Sequence, residues 1–319
     1  MITTDTGFWE HKISFRGHPY AVWNPPMPKQ DDLFIKSVVY IYSSEKAARN
    51  GELDGGTGFL LSVPLEKNPD RAVIYAVTNV HVINDMKEIV IRINTKDGKF
   101  DVIKTTQKQW IRHKKGDDVA IAAITMDGDY HDYGSIGADS LITKEFIDKF
   151  GVGGGDEVYM VGRFINREGK QKNLPAVRKG IVASIDTEAI RHDTLGIDQE
   201  SFLVEIHSIS GYSGSPVLLI IEPFHERHKE IDFDDASHVF ALHSRLLGVD
   251  WGHLPKKELV HDKLHNPTDF YVKVNAAMML VVPAWKIQDI LDLPEQVKLR
   301  KEVDEKVTKR KAESPAISD

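Results

Sequence analysis

Gly211-Tyr212-Ser213-Gly214-Ser215-Pro216-Val217-Leu218-Leu219-Ile220-Ile221 joins a glycine-rich turn to a short apolar run. The run is rich in β-branched side chains and opens on a proline, the composition of a buried strand. The turn before it carries a serine. Glycines on either side let that hydroxyl stand clear of its own backbone, and they let neighbouring N–H groups point at one spot, where an oxyanion could form. Alone, the segment reads as a tight turn entering a buried strand. A serine hydroxyl is a poor nucleophile without a base to take its proton, so its meaning depends on what accompanies it.

The strand signature recurs outward in both directions. Short Val- and Ile-rich runs bounded by Gly, Asp, Asn or Pro occur at Ile35–Tyr42, Gly58–Val63, Val73–Thr78, Ile89–Ile93, Val119–Ile124, Val158–Val161, Gly180–Ile185, Ser201–Ile206, Leu246–Val249, Phe270–Val274 and Met278–Val282. With Val217–Ile221 they make about a dozen short strands, which predicts an all-β sandwich or a pair of barrels. Thr143–Phe150 has helical spacing and ends at Gly151, a connector between two β halves. Pro283–Leu293 spaces Trp285, Ile287, Ile290 and Leu291 at a helix period, so a C-terminal helix is expected on the second half. Residues 1–31, with Pro25-Pro26-Met27-Pro28, read as an irregular N-terminal extension. Residues 294–319 read as a charged tail: a solvated or partner-binding helix, disordered from about Ala312.

Composition removes several classes of function. The 319 residues carry a net charge of -7, which argues against nucleic-acid binding. No run of 18 apolar residues is present, so no membrane helix is expected. The start, Met1-Ile2-Thr3-Thr4-Asp5, lacks a basic region followed by an apolar stretch, and the chain has no cysteine; both suit a cytoplasmic protein. Fourteen histidines invite a metal reading, but no His-Glu-x-x-His occurs, and His225 and His228 sit in a charged loop. Neither a metal nor a cofactor is expected.

Upstream of the serine, Val77-Thr78-Asn79-Val80-His81-Val82 delivers a histidine just past a strand end. Histidine is the side chain best poised to accept a proton near neutral pH. Asp117-Asp118-Val119-Ala120-Ile121-Ala122 leads an acid directly into an apolar strand, where it could hold an imidazole N–H and fix its tautomer. Gly55-Gly56-Thr57-Gly58-Phe59 allows close backbone approach within a strand. Each segment alone has an ordinary structural explanation. Together they put His, Asp and Ser in that order, each at a strand end.

This set resembles the chymotrypsin-like (trypsin-like) serine peptidase superfamily, whose bacterial members show G-T-G-F, T-N-x-H-V, D-hydrophobic-A and G-N-S-G-S/G-P. Lys179-Gly180-Ile181-Val182 resembles a strand of the high-temperature-requirement proteases. Leu247-Gly248-Val249-Asp250-Trp251-Gly252 resembles the segment that pairs with bound substrate. The resemblance implies two packed antiparallel six-stranded β-barrels with a C-terminal helix: a peptidase domain over 32–293, with barrels at about 32–135 and 152–282 and the helix at 283–293. It implies a serine endopeptidase acting on a protein or peptide substrate. His81 would be the general base and then acid, Asp118 rather than Asp117 the orienting acid, and Ser213 the nucleophile. The N–H groups of Gly211 and Ser213 would form the oxyanion hole. The main chain of Asp250, Trp251 and Gly252 would receive substrate as an added strand.

Some positions depart from relatives. Tyr212 stands where they carry Asp or Asn, which removes activation by pairing with a freshly cut N-terminus. Glutamyl endopeptidases place a histidine directly before the Trp; here the residue is Asp250, so glutamyl specificity is not expected. Asp250 favours Lys or Arg if it faces the primary pocket, and approaches Asp118 in the opposite register. His207 is either a pocket-base residue or an ordinary strand residue. The loops Glu222–Val239 and His253–Asp269 look long and suggest narrow specificity. The competing reading is a pseudoprotease that binds a peptide in the same cleft.

Overall fold

Val38-Val39-Tyr40-Ile41-Tyr42 shows no alternation of polar and apolar residues. In the computed structural model all five are buried and form β1 (Val38–Tyr42), a strand covered on both faces. The structure describes residues 32–165, 169–186, 188–192, 196–207, 211–221 and 244–313. The extension 1–31 and the loop 222–239 lie outside the described residues.

β1 lies inside an eight-stranded sheet. Its order is β5 (Phe100–Thr105), β4 (Ile89–Asn94), β1, β2 (Gly56–Pro64), β3 (Ala72–Thr78), β7 (Ala120–Ile124) and β6 (Ile111–Arg112). A short β8 (Ile136–Gly137) pairs with β2 in parallel. The end strands β5 and β6 are consecutive in the chain, joined through a 3-10 turn at Gln107–Gln109. Trp110 spans the join, its indole N–H donating to Thr105 Oγ1 at 2.9 Å. The path of paired strands is therefore open, and its two ends are linked by the chain itself.

The second half closes. β9 (Glu157–Gly162), β10 (Ala176–Ser184), β13 (Phe202–Glu205), β14 (Pro216–Ile220), β15 (Ser244–His261) and β16 (Pro267–Pro283) form a barrel in the order β10-β13-β16-β15-β14-β9. β11 (Ala189–His192) and β12 (Ile197–Glu200) pair as a separate ribbon. One closed barrel is thus seen where two were expected.

The expected loop His253–Asp269 is instead the distal part of a β15–β16 hairpin, paired out to His261 opposite Pro267. Pro255 is accommodated because the register shifts between Leu254 and Pro255, and a bulge tolerates the missing N–H. The strand expected from Ile35 starts at Val38, because Asp32–Ser37 winds into α1.

Short helices fill the gaps: α2 (Glu45–Asn50), α3 (Val80–Ile83) and α4 (Lys144–Phe150). α4 is the expected connector. The Thr143 hydroxyl accepts from Phe146 N–H at 3.1 Å, and Gly151 ends the helix at φ 59. After the barrel come α5 (Trp285–Leu291) and α6 (Pro294–Glu313). α6 is not a free tail. Asp304 accepts from Lys67 N–H at 2.8 Å and from Asn68 Nδ2 at 2.7 Å, and Val303 and Val307 pack on the core. The largest hydrophobic cluster joins both β halves, with Phe59, Leu61, Val77 and Ile121 of the sheet meeting Met160, Phe202, Val249 and Trp251 of the barrel.

Candidate active site

Strand register brings the histidine and the acid together. β3 pairs with β7 so that Thr78 faces Ala120. Three residues beyond Thr78 is His81; two before Ala120 is Asp118. One turn of helix, α3, swings His81 across the gap. Its backbone N–H donates to Asp118 Oδ1 at 2.9 Å, and its Nδ1 lies 2.6 Å from Asp118 Oδ2. The Asp118 side chain is 3% exposed and that of His81 24%. A buried carboxylate gripping Nδ1 turns Nε2 outward, which is the arrangement a general base needs. Asn79 Nδ2 donates to Asp118 O at 2.7 Å. Asp117, the alternative acid, points elsewhere, toward His113 and Lys286.

The serine turn is clamped from two sides. Thr57 in β2 supplies three contacts. Its N–H donates to Ser213 O at 2.9 Å, and its hydroxyl donates to Gly211 O at 2.7 Å and accepts from Arg163 N–H at 2.9 Å. On the other side Gly214 N–H donates to Asp250 O at 2.8 Å, and Asp250 N–H to Ser215 O at 2.9 Å. Gly214 has φ +90, and a Cβ there would lie 2.0 Å from Thr57 O, so only glycine fits. A Cβ on Gly56 would meet Ser213 O at 2.9 Å and the Val82 methyls at 3.0 Å. Gly56 therefore lets the serine turn and the histidine helix approach one another. Among the described residues, neither Gly211 N–H nor Ser213 N–H donates a hydrogen bond, and none joins Ser213 Oγ to His81.

The remaining expected site residues divide. Asp250 is fully buried, and its Oδ1 accepts from Gly252 N–H at 3.1 Å. The Trp251 indole is a core side chain, donating to Ser201 Oγ at 2.9 Å. It is the main chain of Asp250 that bonds to the serine turn. His207 is exposed past the end of β13 rather than an ordinary strand residue. Tyr212 is buried, and its hydroxyl accepts from Arg178 Nε at 3.0 Å.

Sequence reasoning assigned no role to Thr57, Asn79, Arg163 or Gln199. Thr57 and Asn79 stand inside the motifs it used. Arg163 is buried, with Nη1 donating to Asp54 O at 2.6 Å and Nη2 to Glu52 O, and its guanidinium lies 4.4 Å from the Tyr42 ring centre. Among the described residues no group of three or more His, Asp or Glu side chains is placed to hold a metal ion. No helix among them is long and apolar enough to cross a membrane.

The family model for the trypsin-like peptidase domain matches residues 56–220, a span that contains His81, Asp118 and Ser213. No curated protein matches the chain. Similar solved structures include the apo MamO protease domain from Magnetospirillum magneticum, 15% identical, with 80% of this chain and 96% of that one covered and a TM-score of 0.46. An inactive serine-to-alanine form of Rv3671c from M. tuberculosis H37Rv is 16% identical over 81% of this chain and 86% of that one, with a TM-score of 0.43. The HtrA-type protease AlgW with a decapeptide is 12% identical over 83% and 66%, with a TM-score of 0.43.

Proposed function

The chain belongs to the trypsin-like peptidase domain family, and on that premise we propose that it is a serine endopeptidase working through His81, Asp118 and Ser213. The observation that carries this reading is the two-point grip of Asp118 on His81, at 2.9 and 2.6 Å, beside a serine turn held by Thr57.

In the proposed reaction Ser213 Oγ attacks the scissile carbonyl carbon while its proton passes to His81 Nε2. Asp118 keeps the imidazole in the required tautomer and stabilises the imidazolium. The carbonyl oxygen, now an oxyanion, takes hydrogen bonds from Gly211 N–H and Ser213 N–H. Nε2 returns the proton to the departing amine as the C–N bond breaks, leaving an ester on Ser213. Water attacks that ester, giving its proton to Nε2, and the acid is released as Oγ is reprotonated. No step requires a cofactor. The absence of a hydrogen bond between Ser213 and His81 accords with the tendency of such contacts to tighten only when substrate is bound. Two hydrogen bonds spend the N–H and C=O of Asp250 on the serine turn, so the edge proposed for substrate begins just beyond it, at the main chain of Trp251 and Gly252.

A fluorophosphonate probe tests the proposal. Wild-type protein should be labelled and Ser213→Ala should not. Equal labelling of the two, or of neither, would remove Ser213 as the nucleophile.

A further inference from the structure

Two pairs of adjacent residues, Asp117-Asp118 before β7 and Gln199-Glu200 in β12, meet around Lys286 in the first turn of α5. Gln199 is 1% exposed and uses both ends of its amide. Oε1 accepts from Asp118 N–H at 2.7 Å; Nε2 donates to Asp117 Oδ1 at 2.7 Å and to Glu200 O at 2.9 Å. Lys286, 7% exposed, places Nζ 2.6 Å from Glu200 Oε2 and 3.1 Å from Asp117 Oδ2. His113 backs Asp117 from the far side, with Nδ1 2.6 Å from Oδ2.

We propose that Gln199 is a positioning residue for Asp118, and that Lys286 holds Gln199 in place by bridging Asp117 and Glu200. The inference rests on the endopeptidase reading of His81, Asp118 and Ser213. Each carboxylate oxygen of Asp118 takes a contact from His81, and the remaining hydrogen bonds to this residue among the described residues go to its backbone. Both polar groups of its main chain are held: the N–H by Gln199 and the C=O by Asn79. Asn79 belongs to the histidine's own half of the molecule. Gln199 reaches across from the β11–β12 ribbon of the other half. A filler glutamine would satisfy its amide on any nearby groups; this one grips the acid's own peptide and the residue before it. The cation ties the two segments together because Nζ pairs with one carboxylate from each, Glu200 of the ribbon and Asp117 of the acid loop, which without it would repel one another. Burial opposes ionisation of Asp117, but its contacts with His113, Gln199 and Lys286 outweigh that and hold its pKa at about 2. Asp117 therefore stays ionised at neutral pH.

The test has two arms. In the first, proton NMR in a Ser213→Ala background follows the far-downfield resonance of the His81 Nδ1–H held by Asp118. Gln199→Ala and Lys286→Met should abolish or shift it, and Lys286→Arg should retain it. In the second, with Ser213 intact, Gln199→Ala should lower kcat roughly 10- to 100-fold with KM unchanged. That is less than the roughly 10⁴-fold cost of spoiling the orienting acid itself. A resonance and kcat unchanged in Gln199→Ala would overturn the proposal. If Gln199→Ala fails to fold, the Lys286 pair decides: identical resonances for Lys286→Met and Lys286→Arg would overturn it. Wild-type protein with no Ser213-dependent turnover would instead sink the endopeptidase reading, and the resonance arm would still decide the positioning role.

Discussion

Thr57 Oγ1 donates to Gly211 O at 2.7 Å and accepts from Arg163 N–H at 2.9 Å, so one buried hydroxyl ties the serine turn to the strand behind it. Thr57→Ala would take one hydrogen bond each from the Gly211 carbonyl and the Arg163 backbone N–H, at a cost of about 1–3 kcal/mol each. The expected outcome is a lower urea midpoint and slower fluorophosphonate labelling. Thr57→Ser, which keeps the hydroxyl, should recover most of both; a serine variant as impaired as the alanine would show that the lost methyl matters instead. Gly214→Ala is a harsher change, since its Cβ would sit 2.0 Å from Thr57 O in a backbone conformation disfavoured for alanine. It should abolish labelling even where circular dichroism remains native, and a normally labelled variant would refute the clamp. At this scale the sequence was informative wherever chemistry is concentrated in a few adjacent residues. His81, Asp118 and Ser213 each stand in a short motif, and the preference for Asp118 over Asp117 followed from its place against the strand. Gln199 was invisible for the opposite reason. Its partner lies 81 residues away, and Ile197-Asp198-Gln199-Glu200 has neither an apolar alternation to mark the strand nor any sign of what the glutamine touches.

Among the elements, α6 shows best how a correct local reading can miss a docking contact. Leu299, Val303 and Val307 recur every four residues, and the helix is there, but the polar contacts that attach it, Asp304 at their centre with Arg300 on Leu291 O and Lys311 on Asp70, could not be read from that spacing. Asp304 accepts from Lys67 N–H and Asn68 Nδ2, partners 236 or more positions distant that no periodicity can signal. The Lys67 N–H, together with Asn68, holds the Asp304 carboxyl below its ordinary pKa. Asp304→Ala should therefore loosen α6 without touching the serine turn. Amide exchange across Lys301–Thr308 should rise while the labelling rate at Ser213 stays that of wild type, and unchanged exchange would mean that Val303, Val307, Arg300 and Lys311 suffice to hold the helix. The attachment also has an acid limit. A carboxyl with a lowered pKa stabilises the fold above its unfolded value, about 3.9, and loses that contribution as the pH falls through the folded value. In the β15–β16 hairpin the signals conflicted. Pro255 and Pro267 mark breaks in a one-dimensional reading, but in three dimensions one sits at a register shift and the other at a strand start, where a missing N–H costs little.

For the molecule as a whole, the dominant cluster crosses from the N-terminal sheet into the barrel, and Trp251 is 1% exposed within it. The predominance of strand and the helix after the barrel were readable from short runs and turns. Closure was not, because whether the end strands of a sheet pair depends on twist and on interruptions such as the turn at Gln107–Gln109. A shared core implies that the two halves unfold together, and the network behind Asp118 makes that joint stability depend on pH. Asp117 beside Nδ1 raises the pKa of His113 against the opposing effect of burial, and Asp289, 3.2 Å from Nε2, adds to the rise; Lys286 works weakly against it. Because the folded value is raised, the stabilisation is complete below the unfolded imidazole value, about 6.5, and is lost as the pH rises through the folded value. Asp117, held at about 2, remains ionised across this window. The difference in urea midpoint between wild type and His113→Gln should therefore be largest near about pH 5 and shrink toward about pH 9. A difference independent of pH would assign His113 to packing alone, and one that grew with pH would mean that the imidazole is buried in its neutral form. Both halves should lose structure at the same urea concentration at either pH, since Asp117 and His113 belong to the sheet while Lys286 and Gln199 belong to the barrel half. The chain has five tryptophans, so intrinsic fluorescence is a sum; the part lost in Trp110→Phe would report the sheet and the part lost in Trp251→Phe the barrel core. Two separated transitions would show that the shared cluster does not couple the halves.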